Sequence, residues 1–255
     1  MYQFFVEDTQ ISNGVVTIEN EDVNHIKNVL RMKCGEKVRI SSTSGENYFG
    51  EIDTLADRMV LVRILEEYAA DTELPNRIYL FQGLPKSDKL ELIIQKAVEL
   101  GVYEIVPVAM KNCVVKLDEK KAAAKQTRWQ EIAKSAAKQS KRSIIPTVQK
   151  PVSYREAIEA AGALDVRLVP YENERGMAAT KEAIEAVRPG ESIGIFIGPE
   201  GGFAEEEIAL AIEHGMQPIS LGGRILRTET AGLATLSILM YHIESTGETD
   251  SESGK

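Results

Sequence analysis

The sequence predicts an α/β fold, a parallel sheet covered by helices and preceded by a small β-rich barrel. Three observations carry this. From Arg77 onward, short apolar runs alternate with amphipathic stretches, the pattern of a parallel sheet covered on both faces. Twice in the last third an apolar run, Ile193–Ile197 and then Pro218–Leu221, empties into a glycine-rich turn and a helix start. Before residue 70 the runs are short, alternate apolar with polar residues and are separated by turn signals, as in a small barrel.

In the barrel segment, Tyr2–Val6 and Val15–Ile18 read as strands around the turn Asn13-Gly14. Glu21–Leu30 places Val23, Ile26, Val29 and Leu30 on one helical face. Lys37–Ser41, Tyr48–Asp53 and Met59–Leu65 alternate as half-buried strands do. Glu66–Asn76 is polar and aperiodic, and reads as a linker. The expected organisation is a barrel at 1–70, a linker at 71–76, an α/β domain at 77–245 and a disordered tail at 246–255, which is too polar to fold.

In the α/β segment, Arg77–Gln82 is a strand. Ser87 suits a helix N-cap. Leu90, Ile93, Ile94, Ala97 and Val98 form an apolar stripe, and Gly101 ends the helix. Glu104–Val108 is the next strand. Asp118–Lys141 is a long Ala/Lys-rich helix with Trp129, Ile132, Ala133 and Ala136 on its buried side. A helix at Ser153–Ala161, a strand at Val166–Val169 and a helix at Met177–Val187 lead to the glycine-rich stretches.

Composition narrows the function. The net charge is −9, yet Lys111–Lys150 holds 11 Lys/Arg against three acids. Such a basic segment suits phosphate contact or a solvated face, because phosphate contacts are local. Cys34 and Cys113 are far apart and read as reduced thiols of a cytoplasmic protein. His25, His214 and His242 lack metal-ligand spacing, so a metal is not indicated. The N-terminal residues lack a secretory pattern, and no apolar run is long enough to span a membrane.

The glycine stretches are neither a P-loop nor a dinucleotide fingerprint, and no nucleophile elbow is present. What remains is a pocket at three strand ends: Val169-Pro170, Gly198–Gly201 and Leu221–Leu226. Apolar walls with backbone amides and carbonyls suit a flat adenine there. Plain strand-to-helix turns are the competing reading.

GPEGGF followed by LGGRILRTETA resembles the signature of the 16S rRNA uridine-N3 methyltransferase family, often called RsmE, of the SPOUT class. The resemblance extends to Lys86-Ser87-Asp88-Lys89, QKAVELGV, AAKQSKR and HIKNVLRM. It implies a C-terminal trefoil-knot domain, a PUA-like N-terminal barrel and a homodimer. It further implies S-adenosylmethionine as cofactor and a uridine of 16S rRNA near the decoding centre of the small subunit as substrate. Cofactor-binding positions would be Val169, Pro170, Gly198, Pro199, Glu200, Gly201, Leu221, Gly222, Ile225, Leu226, Thr230 and Ala231. RNA contacts would come from His25, Arg31, Lys86, Lys138 and Arg142.

Chemistry adds the catalytic candidates. Uridine N3–H must lose its proton for N3 to attack, so the site needs a group that favours the anion or takes the proton. Arg227 suits the first role, and Glu229 or Glu200 the second. Each has a structural alternative: a carboxylate partner for Arg227, a helix first turn for Glu229, a turn cap for Glu200. Thr228 or Thr230 suits a helix N-cap.

Overall fold

A computed structural model describes residues 1–69, 72–171, 173 and 176–252, with side chains through 246. The chain divides into two compact units, Met1–Glu73 with Ala137–Ile145, and Leu74–Ala136 with Pro146–Lys255.

The first unit is a six-stranded sheet built from β1 (Tyr2–Val6), β2 (Ile11–Ser12), β3 (Val15–Ile18), β4 (Lys37–Ser42), β5 (Asn47–Leu55) and β6 (Val60–Glu67). The spatial order is β1-β4-β5-β6-β3-β2. Only β1 and β4 run parallel. Asn13 and Gly14, both at positive φ, close the two-residue β2–β3 hairpin, where a positive φ at both positions matches strand twist. The expected helix at Glu21–Leu30 is a short α1 (Glu21–Asn24) that widens into a π turn over His25–Val29. Alternate strand residues, among them Phe4, Val16, Ile40, Ile52 and Val62, meet Ile26 in one core.

Arg142 belongs to this unit, and its side chain is only 3% exposed. The Glu73 carboxylate binds its guanidinium and also accepts the Ser143 N–H at 2.8 Å. Gln3 Nε2 donates to the Arg142 carbonyl at 2.6 Å. The expectation that Arg142 contacts RNA phosphate is therefore corrected. A buried guanidinium held by a half-buried carboxylate is structural, and turning it outward would break that pair. Lys138 is half-committed in the same way, 2.7 Å from Asp22. His25 and Arg31 are exposed.

The second unit is a seven-stranded parallel sheet. Its strands are β7 (Arg77–Gly83), β8 (Glu104–Ala109), β9 (Thr147–Val148), β10 (Val152–Ser153), β11 (Val166–Pro170), β12 (Ser192–Ile197) and β13 (Gln217–Ile219). The order is β10-β8-β7-β12-β11-β13, with β9 also beside β8. The central strands are apolar on both faces, and Phe81 stacks on Phe196 with ring centroids 4.3 Å apart. The connecting helices are α2 (Lys89–Glu99), α3 (Glu119–Ser140, whose last turn counts with the first unit), α4 (Tyr154–Ala161), α5 (Ala178–Glu185), α6 (Glu205–Glu213) and α7 (Thr228–Glu252).

The predicted stripe of α2, Leu90, Ile93, Ile94, Ala97 and Val98, is buried, and Gly101 at φ +88° ends the helix. Ser87 is not its N-cap. It takes φ +56°, and Asp88 occupies the cap position without a side-chain cap bond. The polar segment before β7 is also less loose than a linker, since Asn76 is buried and donates to the carbonyls of Arg188 and Glu191 at 2.7 and 3.1 Å.

The tail expected to be disordered from 246 continues α7 to Glu252, and 253–255 lie outside the described residues. No proline interrupts this segment, and a helix already nucleated on Leu236, Leu239 and Ile243 gains one hydrogen bond for each residue added. Among the described residues, no helix is long and apolar enough to cross a membrane.

Candidate active site

In-register parallel pairing brings three strand ends to one edge of the second unit. Leu168 lies beside Ile195, and Pro170 beside Ile219. The Tyr171 N–H extends the last pairing to the Ile219 carbonyl at 3.0 Å. The loops that follow β11, β12 and β13 therefore start side by side, the place where open α/β sheets bind ligands. The three predicted backbone stretches are brought together in this sense. Val169 is fully buried, so only its backbone can serve a ligand.

The loop after β12 is pinned from several sides. Gly202, at φ +66°, closes a turn onto the Pro199 carbonyl at 2.9 Å. Asn112 Nδ2 donates to the Gly201 and Gly202 carbonyls at 3.0 and 3.2 Å. The absence of a side chain is required at two points of close approach. A Cβ at Gly83 would lie 2.7 Å from Pro199 N, and one at Gly201 would lie 2.9 Å from Asn112 Cβ.

Thr228 ties α7 to this loop. Its hydroxyl donates to the Gly198 carbonyl at 2.6 Å and accepts from Gln82 Nε2 at 2.9 Å. This replaces the helix-capping role expected for Thr228. Gln82, at the end of β7, also donates to the Gly83 carbonyl at 3.0 Å. Its Oε1 is buried with no hydrogen-bond donor, and packs against Gly232 on α7 together with the side chains of Ile197 and Leu80. Buried acceptors are normally satisfied, so this one is a feature to account for.

The charged part of the site is Glu200, Lys89 and Glu229. Glu200 accepts the Lys86 N–H at 3.1 and 3.2 Å and pairs with Lys89 Nζ at 3.0 Å. Burial pushes the Glu200 carboxyl up, but hydrogen bonds from Lys89 and backbone N–H groups outweigh it and hold the group below its usual range. The hydrogen bond to Glu200 raises Lys89 in turn. Glu229 Oε2 lies 3.3 Å from Lys89 Nζ and pairs with it as well, which adds to the rise of the ammonium's pKa. Lys89, read in the sequence as opening a basic helix, thus serves two carboxylates, while the Lys86 side chain is exposed.

The third loop is anchored by Thr180, whose hydroxyl donates to the Ser220 carbonyl and accepts its N–H, both at 2.9 Å. Beyond it Gly222 takes φ +99°, and Ile225 is 85% exposed, an unusual state for a large apolar side chain. Leu221, Leu226 and Ala231 are half-buried, and Thr230 is exposed. Arg227 is exposed and makes no ion pair among the described residues. Sequence reasoning missed Gln82, Asn112 and the bridging role of Lys89. Gln82 was the one with a signal, a polar residue ending an otherwise apolar strand.

Comparison with known proteins decides the family. An RNA methyltransferase domain model matches residues 72–240, and an RNA methyltransferase PUA domain model matches 18–65. The Bacillus subtilis ribosomal RNA small subunit methyltransferase E is 39% identical over 250 residues, 96% of this chain and 98% of that protein. The chain belongs to the ribosomal RNA small subunit methyltransferase E family. The Mesomycoplasma hyopneumoniae member is 35% identical over 93% of this chain and 98% of that protein. The crystal structure of the Neisseria gonorrhoeae methyltransferase E, bound to S-adenosyl methionine, superposes with a TM-score of 0.83 at 34% identity, covering 94% of this chain and 97% of that one. The family's two domain models thus fall on the two sheets, the PUA model on the curled N-terminal sheet and the methyltransferase model on the parallel one.

Proposed function

We propose that this chain is an S-adenosylmethionine-dependent methyltransferase that modifies N3 of a uridine in the 16S rRNA of the small ribosomal subunit, near its decoding region. Membership in the methyltransferase E family supports the rRNA substrate, and a relative seen with S-adenosyl methionine supports the cofactor. The observation that carries the reading is the pinned glycine loop at the carboxyl edge of the parallel sheet, with the Glu200 and Glu229 carboxylates beside it. These residues fit the cofactor's mixed character: backbone and apolar side chains for an adenine, carboxylates for donors and positive charge. When bound, the cofactor supplies an electrophilic methyl group on a sulfonium.

The remaining work falls to the chain. Gly198–Gly201, Leu221, Leu226 and Ala231 hold the cofactor, and Thr228 fixes the loop in place. Arg227, exposed and without a carboxylate partner, stabilises negative charge on the uracil as N3 loses its proton. Glu229, half-buried beside Lys89, accepts that proton. His25, Arg31 and Lys86 contact RNA phosphate, positioning the substrate without choosing the base. The catalytic unit carries the trefoil knot and forms a homodimer, for which the exposed Leu92 on α2 and Ile238 and Tyr241 on the adjoining α7 provide apolar surface. The enzyme works in the cytoplasm, where its substrate is made.

The test is transfer of a labelled methyl group to unmodified small subunits, followed by nuclease digestion and mass spectrometry. The expected product is 3-methyluridine. A label on a ribose 2′-oxygen or on another base, or no transfer, overturns the assignment.

A further inference from the structure

We propose that Arg39 and Lys141 form a binding site for an RNA phosphodiester, on the face of the first unit's sheet that turns away from its core. The inference deepens the reading above that the substrate is 16S rRNA, and rests on it.

Val38 and Ile40 on β4 enter the core, so Arg39 between them points to the other face. Its strand neighbours there are Gln3 on β1 and Phe49 on β5. Gln3 Nε2 donates to Ser41 Oγ at 3.0 Å and to the Arg142 carbonyl at 2.6 Å, which lays the chain just after α3 over this face, next to Arg39. Lys141 takes φ +64° in that segment, and the Thr72 hydroxyl donates to its carbonyl at 3.1 Å. The Arg39 guanidinium lies 5.4 Å from the centroid of the Phe49 ring and 5.6 Å from that of Tyr68, and the two rings stack 4.2 Å apart. Ring faces orient a guanidinium without using up its N–H donors.

Neither cation has a carboxylate. Among the described residues the Arg39 guanidinium makes no hydrogen bond or ion pair, and Lys141 Nζ reaches only the Lys138 carbonyl, at 3.4 Å. Burial and the neighbouring Arg39 hold the Lys141 ammonium below its usual range. The acids along this face are committed or distant. Glu73 serves Arg142, Glu51 pairs with Arg63 at 2.8 Å, and the exposed Glu66 lies beyond Phe49, one strand farther from Arg39. The exposed Lys37, two residues back on β4, adds a third cation. The basic residues on either side of Lys141 differ, since Lys138 is paired with Asp22 and Arg142 with Glu73. Arg39, Phe49, Tyr68 and Lys141 are all half-buried, so a ligand can reach the two charged heads. A phosphate accepts from a guanidinium fork and an ammonium at once, and relieves the repulsion between them.

Binding of the full-length protein to protein-free 16S rRNA and to unmodified small subunits, across a salt series, tests this. Arg39→Gln and Lys141→Met should each lower the slope of log affinity against log salt by about 0.7–0.9, a loss of about 5–8-fold at about 0.1 M salt that vanishes on extrapolation to 1 M. In methyl transfer the loss should fall on KM for the RNA and leave kcat unchanged, because the contact is shared by ground and transition states. Arg39→Lys keeps the charge, so its slope should match the wild type, and a slope as low as that of Arg39→Gln would overturn the phosphate contact. Thermal melts show which variants keep the first unit folded, and Lys141→Met carries the test where Arg39→Gln does not fold. Unchanged slopes in the folded variants overturn the inference and leave the rRNA reading standing. A slope lost with subunits but kept with protein-free rRNA assigns the contact to a ribosomal protein and also overturns the inference. A wild-type protein that methylates neither substrate overturns the rRNA reading, and the inference with it.

Discussion

Replacing Thr228 with valine tests how the glycine loop is held. The two side chains have nearly the same shape, so packing is preserved and only the hydroxyl is lost. That hydroxyl is almost fully buried, between the Gly198 carbonyl at 2.6 Å and Gln82 Nε2 at 2.9 Å. Gln82 keeps its bond to the Gly83 carbonyl at 3.0 Å, so the variant strands chiefly the Gly198 oxygen. Two lost bonds and one orphaned acceptor come to about 1–3 kcal/mol. With urea m-values of roughly 1–3 kcal/mol/M, a loss near 2 kcal/mol moves the midpoint by about 0.7–2 M. Trp129, the chain's sole tryptophan, is buried in the second unit and reports the unfolding of that unit. Thr228→Ser keeps the hydroxyl and should lose only about 0.8 kcal/mol for its methyl group. Calorimetric affinity for S-adenosylmethionine should fall in the valine variant and stay near wild type in the serine variant. If valine leaves both the urea midpoint and the affinity unchanged, the hydroxyl does not hold the loop and the account of the site is wrong.

Three further outcomes follow from the structure. Arg142→Ala should destabilise the first unit by about 1–3 kcal/mol by removing the guanidinium's hydrogen bonds to the half-buried Glu73 carboxylate, and the change should appear in thermal melts. A stable variant whose RNA binding loses about one unit of salt slope would restore Arg142 as a phosphate contact. A thiol reagent should titrate one cysteine of the native protein, the exposed Cys34, because Cys113 is buried and its burial pushes the thiol's pKa up. Two rapid thiols before denaturation would contradict that placement. The depressed Glu200 carboxyl contributes stability that is present above its ordinary value of 4.5 and lost as pH falls through the folded value. Glu200→Gln should therefore flatten the acid limb of the urea-midpoint profile, and an unchanged limb would show that the pair with Lys89 stabilises nothing.

The local grammar of the second unit was legible because it is local. The α2 stripe is set by helical period, the Gly101 stop by its positive φ, and the two strand-to-glycine transitions by composition. What stayed hidden was set by partners distant in sequence. Arg142 read as a phosphate contact because it closes a basic run, yet its partner Glu73 lies 69 residues earlier, in the segment read as linker. Counting charges cannot reveal which of them are paired. Thr228 read as a cap because it opens a helix, but its hydroxyl reaches a carbonyl 30 residues back.

The reason these contacts meet is strand order. β12 pairs with β7 on one side and β11 on the other, with Ile197 beside Gln82. That register sets the turn after β7, which carries Lys86 and leads to Lys89 at the start of α2, against the loop that carries Gly198 and Glu200, over a sequence gap of 114 residues between Lys86 and Glu200. Taken separately, the segments read as a basic helix start, a glycine turn and a capped helix. Gln82 alone gave a warning, since a polar side chain closing a buried strand must find partners at that strand's end. Its partners are Thr228 and the Gly83 carbonyl, and its spare oxygen faces Gly232. The candidate site is thus a consequence of parallel pairing at the sheet's centre. A substitution that shifted the β7–β12 register by one residue would separate Gln82 from Thr228 and dissolve it without touching any residue that reads as catalytic.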